Sequence, residues 1–373
     1  MNILYFTHYT DLYGANKSLI EIVKNIRNKG INPIVITPYY GEINKELDRL
    51  NIKNYNFKYH YWVKSCNVNK MKGIIFYFRY KIVNYFAIKQ IVRKFKNKNI
   101  KFIHTNSSVI DIGAKVSIKM NLKHFWHIRE FGKEDYNIEF FIGKKKATNF
   151  ILNNSEKVIC ISDCIRKSYF NTYYKKVVKI YNAVDLKNNI KKINNEEKLN
   201  IVIAGTIIRS KNQLELIKAY SLLEEEIKNR IYIDIIGDGN VEYINEIKDF
   251  IYNNNLKNIN FLGYIKNLDN LYSRYDLGIV TSLKEGFGRV TVEYMLNGIV
   301  PIVTDSGANK EIVRHEETGF VYKLGDIEKL SNILKYLYYN RIELNRISKN
   351  ASNYAKVNFN IDKLIGNLLL LYK

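Results

Sequence analysis

One pattern occurs twice along this 373-residue chain: a short apolar run, a loop that contains glycine, a helical spacing of apolar residues and a second apolar run. The first copy begins at residues 3–6, passes Gly14 and reaches residues 34–36. The second copy begins at Leu199–Ala204 and reaches Ile231–Ile236. Such apolar runs are typical of parallel strands that are buried on both faces and connected by helices. The sequence therefore predicts an α/β fold with two doubly wound, Rossmann-like domains.

Positive charge is concentrated in the first half of the chain. The formal net charge is +23, and residues 1–180 hold 33 Lys/Arg and only 12 Asp/Glu, a net +21. This break indicates a domain boundary near residue 180. A basic domain favours an anionic partner, which is nucleic acid, a membrane surface or an acidic substrate. No RRM, KH, helix-turn-helix or zinc-finger signature supports nucleic acid, so we expect no nucleic-acid partner.

Residues 70–101 carry ten Lys/Arg and no Asp/Glu. Basic residues that alternate with aromatic and aliphatic ones suit the plane of an anionic bilayer. A second interpretation is equally compatible with the pattern: a core helix with one solvated basic face and buried aromatic residues. The aromatic residues concerned are Phe76, Tyr77, Phe78, Tyr80, Tyr85, Phe86 and Phe95.

Three features bear on the location of the protein. No run of about twenty apolar residues predicts a helix that spans a membrane. The start MNILYFTH has no basic segment before its apolar run and is typical of a first strand, not of a signal peptide. The odd number of cysteines, three, indicates reduced thiols in the cytoplasm.

Residues 283–313 carry the most informative motif. Glu285-Gly286-Phe287-Gly288 predicts a turn, residues 290–297 have helical spacing, and residues 299–304 suit a buried strand. A loop with Gly307 then opens a second helix near Asn309. Two helix N-termini after glycine loops suit phosphate groups, because each exposes backbone N–H donors at a positive dipole end.

This stretch resembles the retaining, nucleotide-sugar-dependent glycosyltransferases of family 4, which have the GT-B fold. The shared signature is two glutamates separated by seven residues, carried here by Glu285 and Glu293. The resemblance implies two Rossmann-like domains that face each other across a cleft. Residues 1–182 would bind the acceptor, residues 183–354 would bind the nucleotide sugar, and a C-terminal helix at about 355–373 would pack back on the first domain. It also implies an interdomain hinge near residues 182–195.

The resemblance further implies roles for individual residues. His127, or secondly His104, would lie beside the reacting sugar as the catalytic histidine, and Glu285 would contact the sugar hydroxyls. Glu293 would bind the ribose, because a carboxylate accepts two hydrogen bonds from a diol. The other implied donor-binding residues are Gly14, Gly205, Arg209, Lys211, Gly237, Tyr264, Ile265, Gly286, Phe287, Gly288 and Arg289, and the implied acceptor-binding residues are Asn106, Arg129 and Glu130.

The expected diphosphate clamp departs from the family pattern. Lys211 matches the family's lysine, but Thr206 stands where the family has an arginine. Arg209, within the same loop, is the candidate replacement. The clamp must offset the charge of a leaving group, so cations are hard to dispense with.

The resemblance implies a function for the whole chain. We expect a retaining glycosyltransferase that moves a sugar from a nucleoside-diphosphate sugar, UDP favoured over GDP, to a glycan or lipid-linked glycan acceptor. The expected setting is bacterial surface polysaccharide synthesis, capsule, O-antigen or exopolysaccharide, without a cofactor or metal. The expected location is cytoplasmic and peripheral, on the anionic inner face of the cytoplasmic membrane. Another GT-B enzyme, such as a nucleotide-sugar epimerase, remains an alternative, and a basic nucleic-acid-binding protein is a weaker one.

Overall fold

The computed structural model describes residues 1–170, 172, 174–184 and 198–373. The chain divides into two compact units, Met1–Ala183 with Ile361–Lys373, and Val184–Asn360. Each unit contains a parallel sheet with helices, which confirms the predicted α/β fold class. Most of the expected hinge near 182–195 lies outside the described residues.

The first unit is built around a sheet in the order β3-β2-β1-β5-β6-β8-β9, in which every pairing is parallel. A separate antiparallel pair is formed by β4 and β7. The strands are β1 (Asn2–Phe6), β2 (Asn32–Thr37), β3 (Lys53–Asn56), β4 (Val63–Ser65), β5 (Ile100–Thr105), β6 (Lys123–Ile128), β7 (Ile138–Phe140), β8 (Lys157–Cys160) and β9 (Val177–Lys179). The helices are α1 (Gly14–Arg27), α2 (Glu42–Arg49), α3 (Lys70–Phe95), α4 (Ile112–Met120), α5 (Lys133–Tyr136), α6 (Lys144–Asn153) and α7 (Asp163–Tyr169).

The second unit repeats this plan with a parallel sheet in the order β12-β11-β10-β13-β14-β15. Its strands are β10 (Leu199–Ala204), β11 (Ile231–Ile236), β12 (Ile259–Gly263), β13 (Leu277–Val280), β14 (Val300–Thr304) and β15 (Phe320–Tyr322). Its helices are α8 (Gln213–Ser221), α9 (Glu225–Lys228), α10 (Val241–Asn253), α11 (Asp269–Tyr272), α12 (Arg289–Leu296), α13 (Asn309–Ile312), α14 (Ile327–Tyr339) and α15 (Arg341–Asn358).

The chain returns to the first unit after α15. A last helix, α16 (Ile361–Tyr372), contacts α1 and buries Leu364, Ile365, Leu368 and Tyr372 in the core of the first unit. The single helix expected at about 355–373 is therefore two helices. Its first residues belong to α15 in the second unit, and the part that joins the first unit begins at Ile361.

Most of the basic stretch at residues 70–101 forms α3, which ends at Phe95 and is the longest helix that the structure describes. Tyr80 and Phe95 are buried, whereas Phe76, Phe78, Tyr85 and Phe86 are exposed. The interpretation of α3 as a helix with all its aromatic residues buried is therefore wrong. Within the described residues, no helix is both long and apolar enough to cross a membrane.

Candidate functional site

The strand order of the second sheet reverses between β10 and β13, and hydrogen bonds tie together the loops that follow these two strands. Thr281 donates a hydrogen bond of 2.8 Å to the Lys211 carbonyl. The Leu283 amide donates one of 2.9 Å to the Ser210 carbonyl. In open α/β sheets, ligands bind at such a reversal, beside the carboxyl ends of the strands.

Lys211 and Glu285 form the charged centre of this loop cluster. Lys211 Nζ lies 2.8 Å from Glu285 Oε2, and the Gly288 amide donates to Glu285 Oε1 at 3.2 Å. Burial by itself raises the pKa of the Glu285 carboxyl. The charge and hydrogen bond of Lys211, with hydrogen bonds from Gly288 and Ser282, hold that pKa below its ordinary value. Glu285 is therefore ionised at neutral pH and neutralises the lysine next to it.

At Gly307, the loop after β14 packs closely against the backbone of Glu285. Its φ is +62°, and a Cβ atom at this position would lie 2.1 Å from the Glu285 carbonyl oxygen. The next amide, of Ala308, donates to that carbonyl at 2.7 Å. Only glycine fits here, so the conformation of this loop fixes the backbone that carries the Glu285 carboxylate.

Helix α12 begins beside the same carboxylate. Gly288 precedes it with a φ of +82°, and the first helical residue is Arg289. The backbone N–H groups and the positive dipole end of a helix N-terminus suit a phosphate oxygen. The second helix expected near Asn309 is α13, which has only four residues. Too few peptide dipoles align in one turn, so the expectation of two equivalent helix termini is corrected to one.

Glu293, half-buried on α12, forms hydrogen bonds with two neighbours. Tyr272 donates to Glu293 Oε2 at 3.0 Å, and Arg289 Nε donates to Glu293 Oε1 at 3.0 Å. Each carboxylate oxygen has two lone pairs, so both keep the capacity to accept a further hydrogen bond. Glu285 thus lies in the loop before α12 and Glu293 lies within that helix. Each carboxylate pairs with its own cation, Lys211 or Arg289.

Two predicted donor-binding glycines, Gly205 and Gly237, pack against each other. A Cβ atom on Gly237 would lie 1.9 Å from the Gly205 carbonyl oxygen, and Gly237 has a φ of +146°. Beyond them, the Ile207 amide donates to the Asp238 carbonyl at 2.9 Å. Close packing of the loops after β10 and β11 therefore explains Gly237 without a ligand. At Gly205 the space for a Cβ atom is open, and its φ of +148° is what favours glycine.

Arg209 points toward α10 and not toward Glu285. Its guanidinium lies 2.6 Å from Glu246 and 5.4 Å from the centre of the Tyr243 ring, and its side chain is 72% exposed. Thr206, at the position of the family's arginine, is exposed, and its carbonyl accepts a hydrogen bond from Gln213 at 3.0 Å. An exposed ion pair such as Arg209–Glu246 is weak, so a diphosphate can compete for this arginine.

The remaining predicted residues of the second unit differ in exposure. Tyr264 is exposed and Ile265 half-buried just after β12, where a flat base can lie against their backbone. Gly286 is half-buried in the turn. Phe287 is buried, with its ring 5.8 Å from that of Phe359. Its side chain therefore anchors the turn from below.

In the first unit, hydrogen bonds fix the tautomer of His127. Arg129 Nη2 and His104 Nε2 each lie 3.3 Å from His127 Nδ1. A guanidinium has only donors, so His127 Nδ1 accepts and the proton of the neutral ring is on Nε2. Burial, followed by the charge of Arg129, keeps the pKa of both histidines well below the ordinary value. In the described part of the chain, the buried Nε2–H of His127 has no hydrogen-bond acceptor.

The same chain of hydrogen bonds continues to α16. Because His104 Nε2 donates to His127, His104 Nδ1 accepts, and its donor is the Tyr372 hydroxyl at 2.7 Å. The Tyr5 hydroxyl lies 3.3 Å from that of Tyr372 and donates to it. Tyr5 on β1, Tyr372 on α16 and His104 on β5 thus orient the ring of His127 on β6.

Arg129, which follows β6, binds polar side chains that follow β5 and β9. Its Nε donates to Asn106 Oδ1 at 2.9 Å and its Nη1 to Asn182 Oδ1 at 2.5 Å. Asn106 in turn donates to the Ala15 carbonyl at 3.1 Å, one residue after Gly14 at the exposed start of α1. The predicted acceptor-binding residues Asn106 and Arg129 are therefore adjacent, and Asn106 connects them to the start of α1, where Gly14 lies.

Glu130 points toward the turn after β5. Its Oε1 accepts from Ser107 Oγ at 2.6 Å, from the Ser108 amide at 2.5 Å and from Ser108 Oγ at 2.7 Å. Burial raises the pKa of this carboxyl, against the opposing effect of the serine hydrogen bonds and Arg129. With one oxygen already accepting three bonds, Glu130 holds the shape of the turn.

His8, which was not predicted as a site residue, directly follows Thr7 at the end of β1. Its Nδ1 is buried and, among the described residues, has no hydrogen-bond partner. Burial, and then the nearby charge of Arg129, lowers its pKa to about 3. Its position after the first strand of an α/β domain, beside the reversal of strand order between β1 and β5 where ligands bind in this class of fold, was the available signal.

The described residues contain no cluster of three or more His, Cys, Asp or Glu side chains that could hold a metal ion. The charged groups of the second unit are instead arranged as cation–carboxylate pairs, Lys211 with Glu285 and Arg289 with Glu293. Such an arrangement can bind an anion by displacing a carboxylate from its cation.

Comparison with protein-family models gives two matches that together cover most of the chain. The model described as "Glycosyl transferases group 1" matches residues 185–354. The model described as "Glycosyltransferase Family 4" matches residues 13–188.

Two curated proteins are similar over most of their length. An uncharacterized glycosyltransferase of Methanocaldococcus jannaschii is 23% identical over 359 residues, which cover 92% of this chain and 98% of that protein. The UDP-Gal:alpha-D-GlcNAc-diphosphoundecaprenol alpha-1,3-galactosyltransferase of Escherichia coli is 26% identical over 313 residues, which cover 77% of this chain and 78% of that protein.

Among solved structures, the Anabaena protein HepE in complex with UDP superposes with a TM-score of 0.81. The two sequences are 20% identical, and the match covers 99% of each chain. HepE in complex with UDP-glucose gives a TM-score of 0.80. At this level of identity the likeness establishes the fold.

Proposed function

Since the chain belongs to the glycosyltransferases that these two family models describe, we propose that it is a retaining enzyme which transfers a sugar from a UDP-sugar to a glycan or lipid-linked glycan acceptor. The second unit binds the donor and the first unit binds the acceptor. The observation that carries the proposal is the Lys211–Glu285 pair beside the N-terminus of α12. The cation suits the diphosphate, the carboxylate suits the sugar hydroxyls, and the positive end of the α12 dipole suits a phosphate oxygen.

The donor is a nucleoside-diphosphate sugar, and UDP is the favoured nucleotide. HepE, which has the same fold, is complexed with UDP and with UDP-glucose, and the name of the E. coli relative includes UDP-Gal. We place the diphosphate on Lys211 and the amides after Gly288, with Arg209 exchanging Glu246 for the phosphate. The base lies against the backbone around Tyr264 and Ile265, and the ribose diol on Glu293.

Transfer breaks the bond between the sugar's anomeric carbon and the diphosphate and forms a bond to the acceptor oxygen. The acceptor hydroxyl proton passes to the departing phosphate oxygen, on the donor face that the acceptor occupies, so the configuration is retained. Lys211 and the α12 amides stabilise the negative charge that develops on the phosphate. We propose that no metal ion or cofactor takes part. A chelator such as EDTA should therefore leave the rate unchanged.

His127 is proposed as a hydrogen-bond donor to the transferred sugar, with Asn106 and Arg129 shaping the acceptor side. Its Nε2–H is oriented by His104 and Arg129, as described above. We propose that the enzyme acts in bacterial surface polysaccharide synthesis. The name of the E. coli relative supports this, because it specifies a diphosphoundecaprenol-linked acceptor. An acceptor of that kind places the enzyme on the inner face of the cytoplasmic membrane.

A ligand screen tests the donor, and product analysis tests the reaction. UDP, GDP and their glucose, galactose and mannose derivatives are compared for the rise they cause in the unfolding temperature, because a ligand that binds only the native state stabilises it. UDP and at least one UDP-sugar should raise it. The product should contain a new glycosidic bond with the donor's anomeric configuration. A free epimerised sugar nucleotide would identify an epimerase, and no response to any nucleotide would refute the proposal.

A further inference from the structure

Helix α3 presents two apolar faces, and only one of them is covered. The inner face is buried on the first unit through Gly73, Tyr80, Asn84, Ala87, Ile91 and Phe95. Opposite to it lies a row that we call the outer stripe, with exposed fractions from 56% to 77%: Met71, Ile75, Phe78, Ile82 and Phe86. These residues recur every three or four positions, so they form one continuous line along the helix.

The inner contacts prevent this helix from turning the outer stripe toward the core. Asn84 accepts a hydrogen bond from the His60 amide at 2.8 Å and donates to the His60 carbonyl at 3.0 Å. Tyr80 donates to the buried carboxylate of Asp111, which also pairs with Lys115 at 2.5 Å. Rotation of α3 would leave these buried polar groups without partners, which is costly. The exposure of the outer stripe is therefore a fixed property of the fold.

The charge of α3 favours one kind of partner for the outer stripe. The helix carries seven Lys/Arg and no Asp/Glu, and it lies in the half of the sequence whose net charge is +21. Lys89 and Arg93 continue the row of the outer stripe toward the helix C-terminus, so cations follow the apolar residues on the same face. A second copy of α3 would bring like charges together, whereas an anionic surface neutralises them.

We propose that the outer stripe of α3 inserts into the headgroup region of an anionic lipid bilayer, with the helix lying in the plane of the membrane. The stripe extends over roughly 22 Å at 1.5 Å per residue, long enough to lie along the surface. An amphipathic helix of this kind buries its apolar side chains between headgroups and acyl chains while its cations bind lipid phosphates. The inference rests on the proposed function for its biological setting, since the enzyme would then meet a lipid-linked acceptor where that acceptor resides.

Vesicle flotation of the full chain tests the proposal with two matched variants. The outer-stripe variant is Ile75→Ser/Phe78→Ser/Ile82→Ser. The control is Val241→Ser/Ile342→Ser/Val357→Ser, which removes three exposed aliphatic side chains from helices of the second unit. Wild type and control should float with phosphatidylcholine–phosphatidylglycerol vesicles and not with pure phosphatidylcholine. The outer-stripe variant should bind at least about tenfold more weakly, because burial of each apolar side chain contributes to insertion.

Three outcomes would overturn the proposal. One is wild type that ignores anionic vesicles, and another is an outer-stripe variant that floats like the control. The third concerns analytical ultracentrifugation: wild type and control are dimers, and only the outer-stripe variant is a monomer. That result would make the outer stripe an interface between copies of the chain. UDP binding measured without vesicles should be equal in all three proteins. If wild type does not bind UDP, the proposed function is refuted, but the conclusion about membrane binding is unaffected.

Insertion, as opposed to simple charge attraction, can be read from fluorescence. The two native tryptophans, Trp62 and Trp126, are buried, so an added indole on α3 reports its own surroundings. In Phe78→Trp the emission should shift to shorter wavelength on anionic vesicles and resist added salt. In the control Tyr252→Trp, which replaces an exposed side chain on α10, the emission wavelength should not shift. Bound protein without a shift in Phe78→Trp would contradict insertion.

Discussion

At the scale of single residues, the protonation of His127 decides what this side chain can do. Its Nδ1 is occupied by Arg129 and His104, and its pKa is held well below the ordinary value. A neutral ring that accepts at Nδ1 presents a donor at Nε2. His127 is therefore a hydrogen-bond donor and cannot take up the acceptor's proton near neutral pH.

We predict that His127→Gln keeps more activity than His127→Ala, because the glutamine amide can place an N–H near the position of Nε2. The alanine variant should lose at least about tenfold in kcat/KM, the scale of one hydrogen bond to a substrate. The wild-type pH profile near neutral pH should have no limb that disappears in the glutamine variant, because burial and then the charge of Arg129 hold the pKa of His127 well below its ordinary value. Such a limb, or equal losses in both variants, would contradict a donor role.

Lys211 carries the strongest prediction in the second unit. Lys211→Ala should lower kcat/KM by about 100-fold or more, the scale of losing one donor to a developing negative charge. The control Lys257→Ala removes an exposed lysine and should stay near wild type. Arg209→Ala should weaken donor binding, and Glu246→Gln should strengthen it by releasing Arg209. A Lys211→Ala rate within threefold of wild type would make the phosphate assignment untenable.

The sequence identified Lys211 and Glu285 separately but not as a pair. They lie 74 residues apart, and only the reversal of strand order between β10 and β13 brings their loops together. Arg129 was likewise predicted without its partner Asn182, which follows a different strand. Local motifs name residues, whereas their partners depend on tertiary contacts that a single sequence does not contain.

At the scale of elements, buried strands were the most predictable feature. The predicted strands at Leu199–Ala204 and Ile231–Ile236 have the bounds that the structure gives to β10 and β11. Both are nearly continuous apolar runs of strand length, which is the pattern expected of a strand that is buried on both faces. Helix α3 was ambiguous for the opposite reason. Apolar residues occupy both its inner and its outer face, so periodicity alone could not decide which one is covered.

The loops after β10 and β11 give a prediction about stability. Gly237→Ala should destabilise the second unit by about 3 kcal/mol or more, since the added Cβ meets the Gly205 carbonyl in a backbone conformation that L residues avoid. Gly263→Ala is the control: its φ is also positive, at +68°, but the space around it is open. It should cost only about 1–2 kcal/mol. Urea unfolding measures both, and equal losses would exclude the steric explanation.

At the scale of the whole molecule, α16 supplies part of the first unit's core from the far end of the sequence. Leu368 is fully buried there, whereas Leu370 on the same helix is 67% exposed. Both tryptophans, Trp62 and Trp126, lie in the first unit, so their fluorescence follows the unfolding of that unit alone.

We therefore predict that Leu368→Ala lowers the free energy of unfolding measured by tryptophan fluorescence by about 2–5 kcal/mol, the usual cost of a cavity in a packed core. Leu370→Ala should change it by less than about 0.5 kcal/mol, because its side chain is mostly in solvent. Equal effects of the two substitutions would mean that α16 does not belong to the first unit's core.

The place of α16 in the chain also sets an order for biosynthesis. A ribosome must complete the whole second unit, through Asn360, before the residues that close the first unit emerge. Until then the nascent first unit lacks Tyr372, and with it the hydroxyl that orients His104. Domains made early usually fold early during synthesis. Here the first unit is translated first, but its folding can be completed only after the second unit has been synthesised. A chain without α16 therefore cannot assemble the polar network around His127.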